Sequence, residues 1–537
     1  MFGVLAMVFA MLRLTWPLQI PKLAKMVASR KFWMPVCAIL LGAYLILLVY
    51  LGTYRGFIDH IEPNVTSVAW MAARGQPIYH GLESTERYAL LYGPMSYLPY
   101  MWALQLFGPH ILSAKLVVVL AHLALLALLW RSYRTLLNWQ QATFATAMVI
   151  TFLLAGEPYP IDARSDVIMI LTAALGLASV ISSIPWRAGL LLAMGTGLCI
   201  GVKVTGGLYF VPLFILLYRR HGARTTAATL AGAAAVACLP FTLRAVSFTN
   251  YLLWLRQGSH HPLRLPEFTR TIKALVMLSV PFAALVWRFH EKDSYGFFAY
   301  LRREKLILLS LLFCVGLVTV LASKAGAGDH HYLPFYPLLG YLCCDIYRRP
   351  EATKDIRWNS IGATVCILCL LWLVARVESR LAVDWSIAGP NVFRGRALAN
   401  SVTNDLQEIM REHPGVKIEM GYGDKLGPTN NLTRLRTVLV FAGNPLTIDQ
   451  AGLEDMRLSG VKMPEGTIAY LDSCGTQIWL IPRGEHPFIV PSFYNDPNTS
   501  TIFDIFGDTF RQAFFDRYQR KTSSKYFDLW TCKKPGS

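Results

Sequence analysis

Asp59 and Glu62 stand three residues apart, directly after the first long apolar stretch of the chain. On a helical turn that spacing puts both carboxylates on one face. Charge beside low-dielectric surroundings is costly, so such residues tend to mark a working site. The chemistry that suits them is general base catalysis, in which a carboxylate takes the proton of an acceptor hydroxyl while another bond breaks. A solvated helix-cap pair at a membrane surface would use the same two residues, and spacing does not choose between these readings. A second acidic connector runs from Glu157 to Asp166 and ends Asp162-Ala163-Arg164-Ser165-Asp166 at the mouth of an apolar segment. Arg164 there could pair with Asp166 or bind a phosphate; Ser165 or Asp166 could equally cap the helix that follows.

Basic and imidazole groups supply the complement. Lys203 interrupts the apolar run Gly201-Val202-Lys203-Val204-Thr205-Gly206-Gly207. An intramembrane lysine needs a partner, and the phosphate of a lipid-linked donor would provide one; snorkelling to headgroups is the competing account. In Lys324 to His331, small flexible residues join Lys324 to Asp329, His330 and His331, a loop able to approach a phosphate or substrate closely. Arg256 and His260, followed by His261, form a similar loop. Adjacent histidines more often differ in direction than share a metal. No cysteine and histidine spacing typical of zinc is present, so no metal site or cofactor is assigned, although a divalent metal is compatible with the acidic loops.

The elements that must position these groups are membrane helices. Of 537 residues 54% are hydrophobic and only 16% charged, against about 25% charged in ordinary soluble domains, and mean hydropathy is +0.40. The net charge of +18 is not a nucleic-acid signal, because the basic residues cluster between apolar spans, where they act as topology signals. The expected spans are Phe32–Leu51, Ile111–Trp130, Thr143–Ala155, Val167–Ile184, Ala188–Val202, Gly206–Leu217, Thr225–Leu243, Thr271–Trp287, Leu306–Ala322, Tyr332–Ile346 and Ile361–Val374. That makes about eleven, with a cytoplasmic N-terminus. Met95–Phe107 is apolar but short and broken by proline, which suits a membrane-lying or re-entrant helix.

Residues 1–31 read as a cytoplasmic or interfacial segment and not as a secretory signal, since the charges follow the apolar stretch. Residues 32–376 form the transmembrane domain. From 377 to 537 the composition is that of a soluble domain, expected to be small, α+β and extracytoplasmic. Strands are expected at Val416–Met420, Thr437–Phe441, Thr467–Leu471 and Gln477–Ile481, and helices at Ala397–Arg411 and Phe506–Arg520. Cys474 and Cys532 lie in this region and could pair if it faces an oxidising compartment.

At Asp59 and Glu62, Ala72-Ala73-Arg74-Gly75-Gln76-Pro77-Ile78-Tyr79, Tyr92-Gly93-Pro94, Arg164-Ser165-Asp166 and the Lys324–Pro334 loop, the chain resembles the GT-C class of polytopic glycosyltransferases. The likeness is to bacterial relatives of protein O-mannosyltransferases and lipid A aminoarabinose transferases. It covers roughly the first 380 residues. It implies transfer of a sugar from a polyprenyl-phosphate donor to a hydroxyl of a glycan, lipid or protein acceptor, at the outer face of a bacterial inner membrane and with inversion. By that resemblance Glu62 is the base with Asp59 as alternate or helper, Asp166 is a supporting carboxylate, and Lys203 meets the donor phosphate. Tyr92, Arg164, Arg256, His260, Lys324, His330 and His331 are the further substrate-binding candidates. The family's usual adjacent carboxylates are loosened here to a three-residue spacing. A transporter or flippase of a lipid-linked or anionic substrate is the rival reading. It would need charges deep within several spans or broken helices at the midplane, whereas most charges here lie at span ends.

Overall fold

The structure is a computed structural model that describes residues 30–155, 161–348, 396–425, 430–495 and 502–533. Its N-terminal part is helical: α1 (Arg30–Gly52), α2 (Ile61–Ala73), α3 (Leu98–Phe107), α4 (Ile111–Arg134), α5 (Trp139–Ala155), α6 (Ser165–Leu177), α7 (Pro185–Val202), α8 (Val211–Cys238), α9 (Phe248–Ser259), α10 (Leu265–Lys292), α11 (Ser294–Ala322) and α12 (Tyr336–Arg348). Helical structure runs through the expected spans, stopping at Ile181 in Val167–Ile184, except Ile361–Val374, which lies outside the described residues, as does most of the N-terminal segment 1–31 and the boundary expected at 377.

Along their long apolar runs α4 and α11 are apolar on almost every face, as lipid requires. In α4 the stripe Ala114, Val118, Ala121, Leu125, Leu129 is buried at helical spacing, while Leu112, Leu120 and Leu123 face outward. In α11 Ile307, Leu311, Cys314 and Val318 turn inward, and Leu309, Leu312, Phe313 and Val320 are exposed. A water-soluble surface does not carry apolar stripes of that size. Four stretches among the described residues, Ile111–Arg134, Pro185–Val202, Val204–Thr242 and Ser294–Ala322, are long and apolar enough to cross a bilayer. The protein is a multi-pass membrane protein. Helix α8 is broken at Gly222, where φ is 79°, directly after Arg219-Arg220-His221. Ten-residue α3, about 15 Å long, buries Tyr100 and Leu104 and exposes Trp102, Leu106 and Phe107.

The C-terminal part comprises α13 (residues 396–412), β1 (Ile418–Met420), α14 (Asn430–Thr433), α15 (Arg436–Phe441), α16 (Gln450–Leu458), α17 (Glu465–Asp472), β2 (Ile478–Pro482), β3 (Pro491–Asn495), β4 (Ile502–Asp504), α18 (Gly507–Arg517), β5 (Tyr518–Ser523) and β6 (Phe527–Cys532). One sheet has the order β1-β2-β6-β5, with β1 and β2 parallel and the other pairs antiparallel; β3 and β4 form a second, two-stranded sheet. Every residue of β2 is buried, because the sheet is covered on both faces. Trp479, Phe488, Phe506, Phe510 and Phe514 fill one side; Val402 and Leu406 of α13 pack with Leu480, Phe527 and Leu529 on the other. Cys474 and Cys532 are disulfide-bonded.

Two expected strands are helices. Thr437–Phe441 lies in α15 and Thr467–Leu471 in α17. The first has β-forming residues, but α15 is wedged against α2: the Thr437 hydroxyl donates to the Pro63 carbonyl at 3.1 Å and accepts from Ser67 at 3.0 Å. Such packing outweighs a propensity worth about 1 kcal/mol. The second follows Pro464 with Glu465 in its first turn, an arrangement that favours a helix start. The expected Phe506–Arg520 helix ends at Arg517, and the chain turns directly into β5.

Candidate active site

Helix α2 starts at Ile61, two residues after Asp59, and Glu62 lies in its first turn. One Glu62 oxygen accepts the amides of Ile58 at 2.9 Å and Asp59 at 3.4 Å. The other accepts Ala163 N–H at 3.1 Å and Lys115 Nζ, so the carboxylate is fully buried among four donors. Lys115 is the charged residue that α4 carries in its first turns, itself 1% exposed. Glu62 thus ties the loop before α2 to α4 and to the connector before α6.

Asp59 is held differently. Its Oδ1 accepts Ile61 N–H at 2.7 Å, and its Oδ2 lies 3.5 Å from Arg164 Nη1 and 3.6 Å from His60 Nδ1. Arg164 Nε is also 3.5 Å from Asp166 Oδ2 and 3.8 Å from Asp162 Oδ2. Asp166 Oδ1 in turn lies 3.6 Å from Lys203 Nζ. Charges therefore alternate along Asp59, Arg164, Asp166 and Lys203, drawn from the α1–α2 loop, the connector before α6, α6 itself and the C-terminus of α7. Burial raises the Asp59 carboxyl, but Arg164 and His60 outweigh it and hold the group well below the usual carboxylate range. Asp162 goes the other way: burial, with Glu62, Asp59 and Asp166 nearby, pushes it well above that range despite Arg164.

Lys203 owes its position to a close backbone contact. Gly93 N–H donates to the Val202 carbonyl at 2.7 Å, and a Cβ on Gly93 would stand 2.2 Å from the Gly201 oxygen. Only glycine lets the Tyr92-Gly93-Pro94 turn lie on the end of α7, and there Lys203 Nζ sits 5.3 Å above the Tyr92 ring. Tyr79 fixes the turn from behind, its hydroxyl donating to the Tyr92 carbonyl at 2.6 Å. Helix α2 reaches Tyr79 through a left-handed Gly75, φ 83°, which explains the Arg74-Gly75-Gln76-Pro77 segment as a helix stop.

These elements surround a cavity of about 730 Å³. Asp59, Tyr92, Arg164 and Lys203 line it, together with Lys324, His330 and His331. Glu62 and Asp166 stand behind this lining, and Arg256 and His260 are exposed and lie off it. Of the histidine pair 260–261 it is His261 that turns inward, its ring bonded to the carbonyls of Ala325 at 3.1 Å and Asp455 at 2.8 Å. Burial and the charge of Lys203 push His330 down to about 3. Three buried atoms here, Asp162 Oδ1, Ser165 Oγ and His331 Nδ1, have no hydrogen-bond partner among the described residues. Unsatisfied buried polar atoms concentrated at one place point to a ligand. Among the described residues no group of three or more His, Cys, Asp or Glu could hold a metal ion.

Several cavity residues escaped the sequence reading. Arg270 near the start of α10 lines the cavity and reaches Asp329 at 3.1 Å; as a charge entering an apolar helix it carried a signal of the same kind as Lys203. Lys115 carried that signal too. Glu454, Asp455 and Tyr494, which the C-terminal part contributes, carried none. Burial lifts the Asp455 carboxyl to about 6, and the Leu91 amide donates to it.

No protein-family model matches the sequence, and no curated protein does. Solved structures do match. ArnT from Cupriavidus metallidurans bound to undecaprenyl phosphate superposes with a TM-score of 0.53 at 13% identity, covering 94% of this chain and 98% of the other. The apo form of the same protein gives a TM-score of 0.52 at 12% identity, covering 93% and 98%. The chain shares the fold of that protein over nearly its whole length, and the likeness extends through the C-terminal part.

Proposed function

We propose that the protein is a glycosyltransferase that moves a sugar from a polyprenyl-phosphate donor to an acceptor hydroxyl on a glycan, lipid or protein. The observation that carries the reading is the alternating charge array on one cavity at the ends of apolar helices, with its unsatisfied buried atoms. A phosphate on a prenyl chain has the matching chemistry, an anion for Lys203, Arg164 and Arg270 and an apolar tail for the surrounding helices. The undecaprenyl phosphate bound by ArnT from Cupriavidus metallidurans, whose fold this chain shares, supports the same donor class.

In this scheme the acceptor oxygen attacks the anomeric carbon as the bond from that carbon to the phosphate oxygen breaks, inverting the centre. The bonding electrons leave on the phosphate, where Lys203 and Arg164 stabilise the growing charge. The acceptor proton passes to a carboxylate, and Asp59 is the better base than Glu62, because it faces the cavity while Glu62 is enclosed by four donors. A carboxylate held far below neutral is a weak base. A donor phosphate that takes up part of the charge of Arg164 would release that hold, coupling donor binding to the basicity of Asp59. Asp166, behind Arg164 and Lys203, keeps both cations in place. We assign the reaction to the periplasmic face of a bacterial inner membrane, the side on which the C-terminal domain would sit.

Native mass spectrometry of the purified protein tests the donor. A co-purifying or added undecaprenyl phosphate should bind, and Lys203→Ala should weaken it about 10-fold or more, as expected when one charge-assisted contact worth roughly 1.5–3 kcal/mol is lost. Binding of ordinary phospholipids alone would overturn the reading.

A further inference from the structure

We propose that the C-terminal domain belongs to the catalytic unit through Arg434 and Arg436, two positioning residues that set the backbone on either side of Asp59. This rests on Asp59 being the base. Arg434 Nη1 donates to the carbonyl of Ile58, and Arg436 Nη2 donates to the carbonyl of His60 at 3.2 Å. Those are the two carbonyls that flank Asp59 in the chain. The amides of Ile58 and Asp59 are already taken by Glu62, and that of Ile61 by Asp59 itself. The loop is therefore pinned on its amide side from within the membrane part and on its carbonyl side from the C-terminal domain.

Neither arginine is a loose surface group. Arg436 is 3% exposed and pairs at 2.5 Å with fully buried Asp449; it also donates to the Thr433 carbonyl at 3.1 Å. Arg434 is partly buried beside it. The surrounding contact is apolar, with Phe57 and Ile111 packed into the cluster that holds Leu435 and Leu439. Apolar packing would hold a domain in place without burying two charges, which costs free energy and yields fixed geometry in return. Charged donors on carbonyls are about twice as strong as neutral ones and strongly directional. Here they fix the torsion angles that aim Asp59 at Arg164. The domain is thereby made a condition for correct placement of the base, and a misplacement of about 1 Å can cost on the order of 100-fold in rate.

The test reads Asp59 directly in the full-length protein in detergent. A carbodiimide with glycine ethyl ester labels protonated, accessible carboxyls, and peptide mass spectrometry gives the labelled fraction of Asp59 against pH, with exposed Glu412 as reference. In the unsubstituted protein Asp59 should stay unlabelled through the mildly acidic range, because Arg164 and His60 hold it ionised. In Arg434→Met the labelled fraction of Asp59 at a fixed acidic pH should rise roughly 10-fold, the lost Arg434 charge supplying part of the rise and the loosened backbone the rest. Arg434→Lys, which keeps one charged donor, should restore part of the difference, and Arg436→Lys should act in the same direction. Undecaprenyl phosphate should still bind, and no more weakly than to the unsubstituted protein, because an Arg164 less engaged by Asp59 is freer for the phosphate. An unchanged Asp59 profile in both arginine variants would overturn the proposal. So would loss of undecaprenyl phosphate binding with that profile unchanged. If the profile shifts but Asp59→Asn still turns over, the clamp stands and the assignment of Asp59 as base falls.

Discussion

Replacing Glu62 by glutamine separates a base from a scaffold. The glutamine oxygen can still accept the amides of Ile58 and Asp59, but its NH₂ then faces the Ala163 amide and Lys115, two donors where two acceptor bonds stood. Lys115, 1% exposed, is left charged without its counter-ion. Breaking a buried pair by removing one partner costs about 3–5 kcal/mol. Glu62→Gln should therefore lower the thermal midpoint in detergent by several degrees and reduce turnover as the Asp59 loop loosens. Adding Lys115→Met removes the orphaned charge, and the double variant should recover about 2 kcal/mol or more, a coupling expected of residues in one ion pair. Asp59→Asn, which leaves Arg164 the carboxylates of Asp162 and Asp166, should cost less stability than Glu62→Gln while cutting turnover at least about 100-fold, the scale of lost general base catalysis. Midpoints from scanning fluorimetry and initial rates from lipid-linked donor decide it. A Glu62→Gln protein that melts normally and is as inactive as Asp59→Asn would make Glu62 the base and refute the scaffold argument.

Three other outcomes are expected. Gly93→Ala puts a methyl 2.2 Å from the Gly201 oxygen, so the Tyr92 turn must lift from α7 at a cost of about 1–3 kcal/mol; weaker undecaprenyl phosphate binding should accompany the loss of stability. Replacing Cys474 and Cys532 by serine opens a loop of 58 residues, worth about 4 kcal/mol by chain entropy; the C-terminal domain should become sensitive to limited proteolysis while the membrane helices do not. His330, held near 3 by burial and Lys203, resists protonation when folded but takes a proton near 6.5 when unfolded. Stability should be full above about pH 6.5 and fall by up to about 1.4 kcal/mol per unit as pH drops toward 3. His330→Gln should flatten that part of a thermal-midpoint profile, and an unchanged slope would assign the acid sensitivity elsewhere.

The chain carried its architecture openly because lipid imposes simple demands. Apolar stretches of bilayer length and basic clusters between them were legible without coordinates, since each is a local property of the sequence. The chemistry was legible in part. Asp59, Tyr92, Arg164, Lys203, Lys324, His330 and His331 stand out as charged, aromatic or imidazole groups at span ends, and the structure gathers them on one cavity.

What tertiary structure alone decided is which of two neighbouring carboxylates is available and which side chains from distant segments complete the cavity. Glu62 is withdrawn by Lys115 of α4 and by an amide 101 residues along the chain, partners that no local spacing announces. The strand-like Thr437–Phe441 became a helix because it had to fit against α2. Arg436 looks like any surface arginine in the sequence, yet it reaches a carbonyl 376 residues away. Composition and periodicity report how a segment meets lipid or water. The pairing of buried charges depends on contacts between segments, and those exist only once the helices and the sheet have packed.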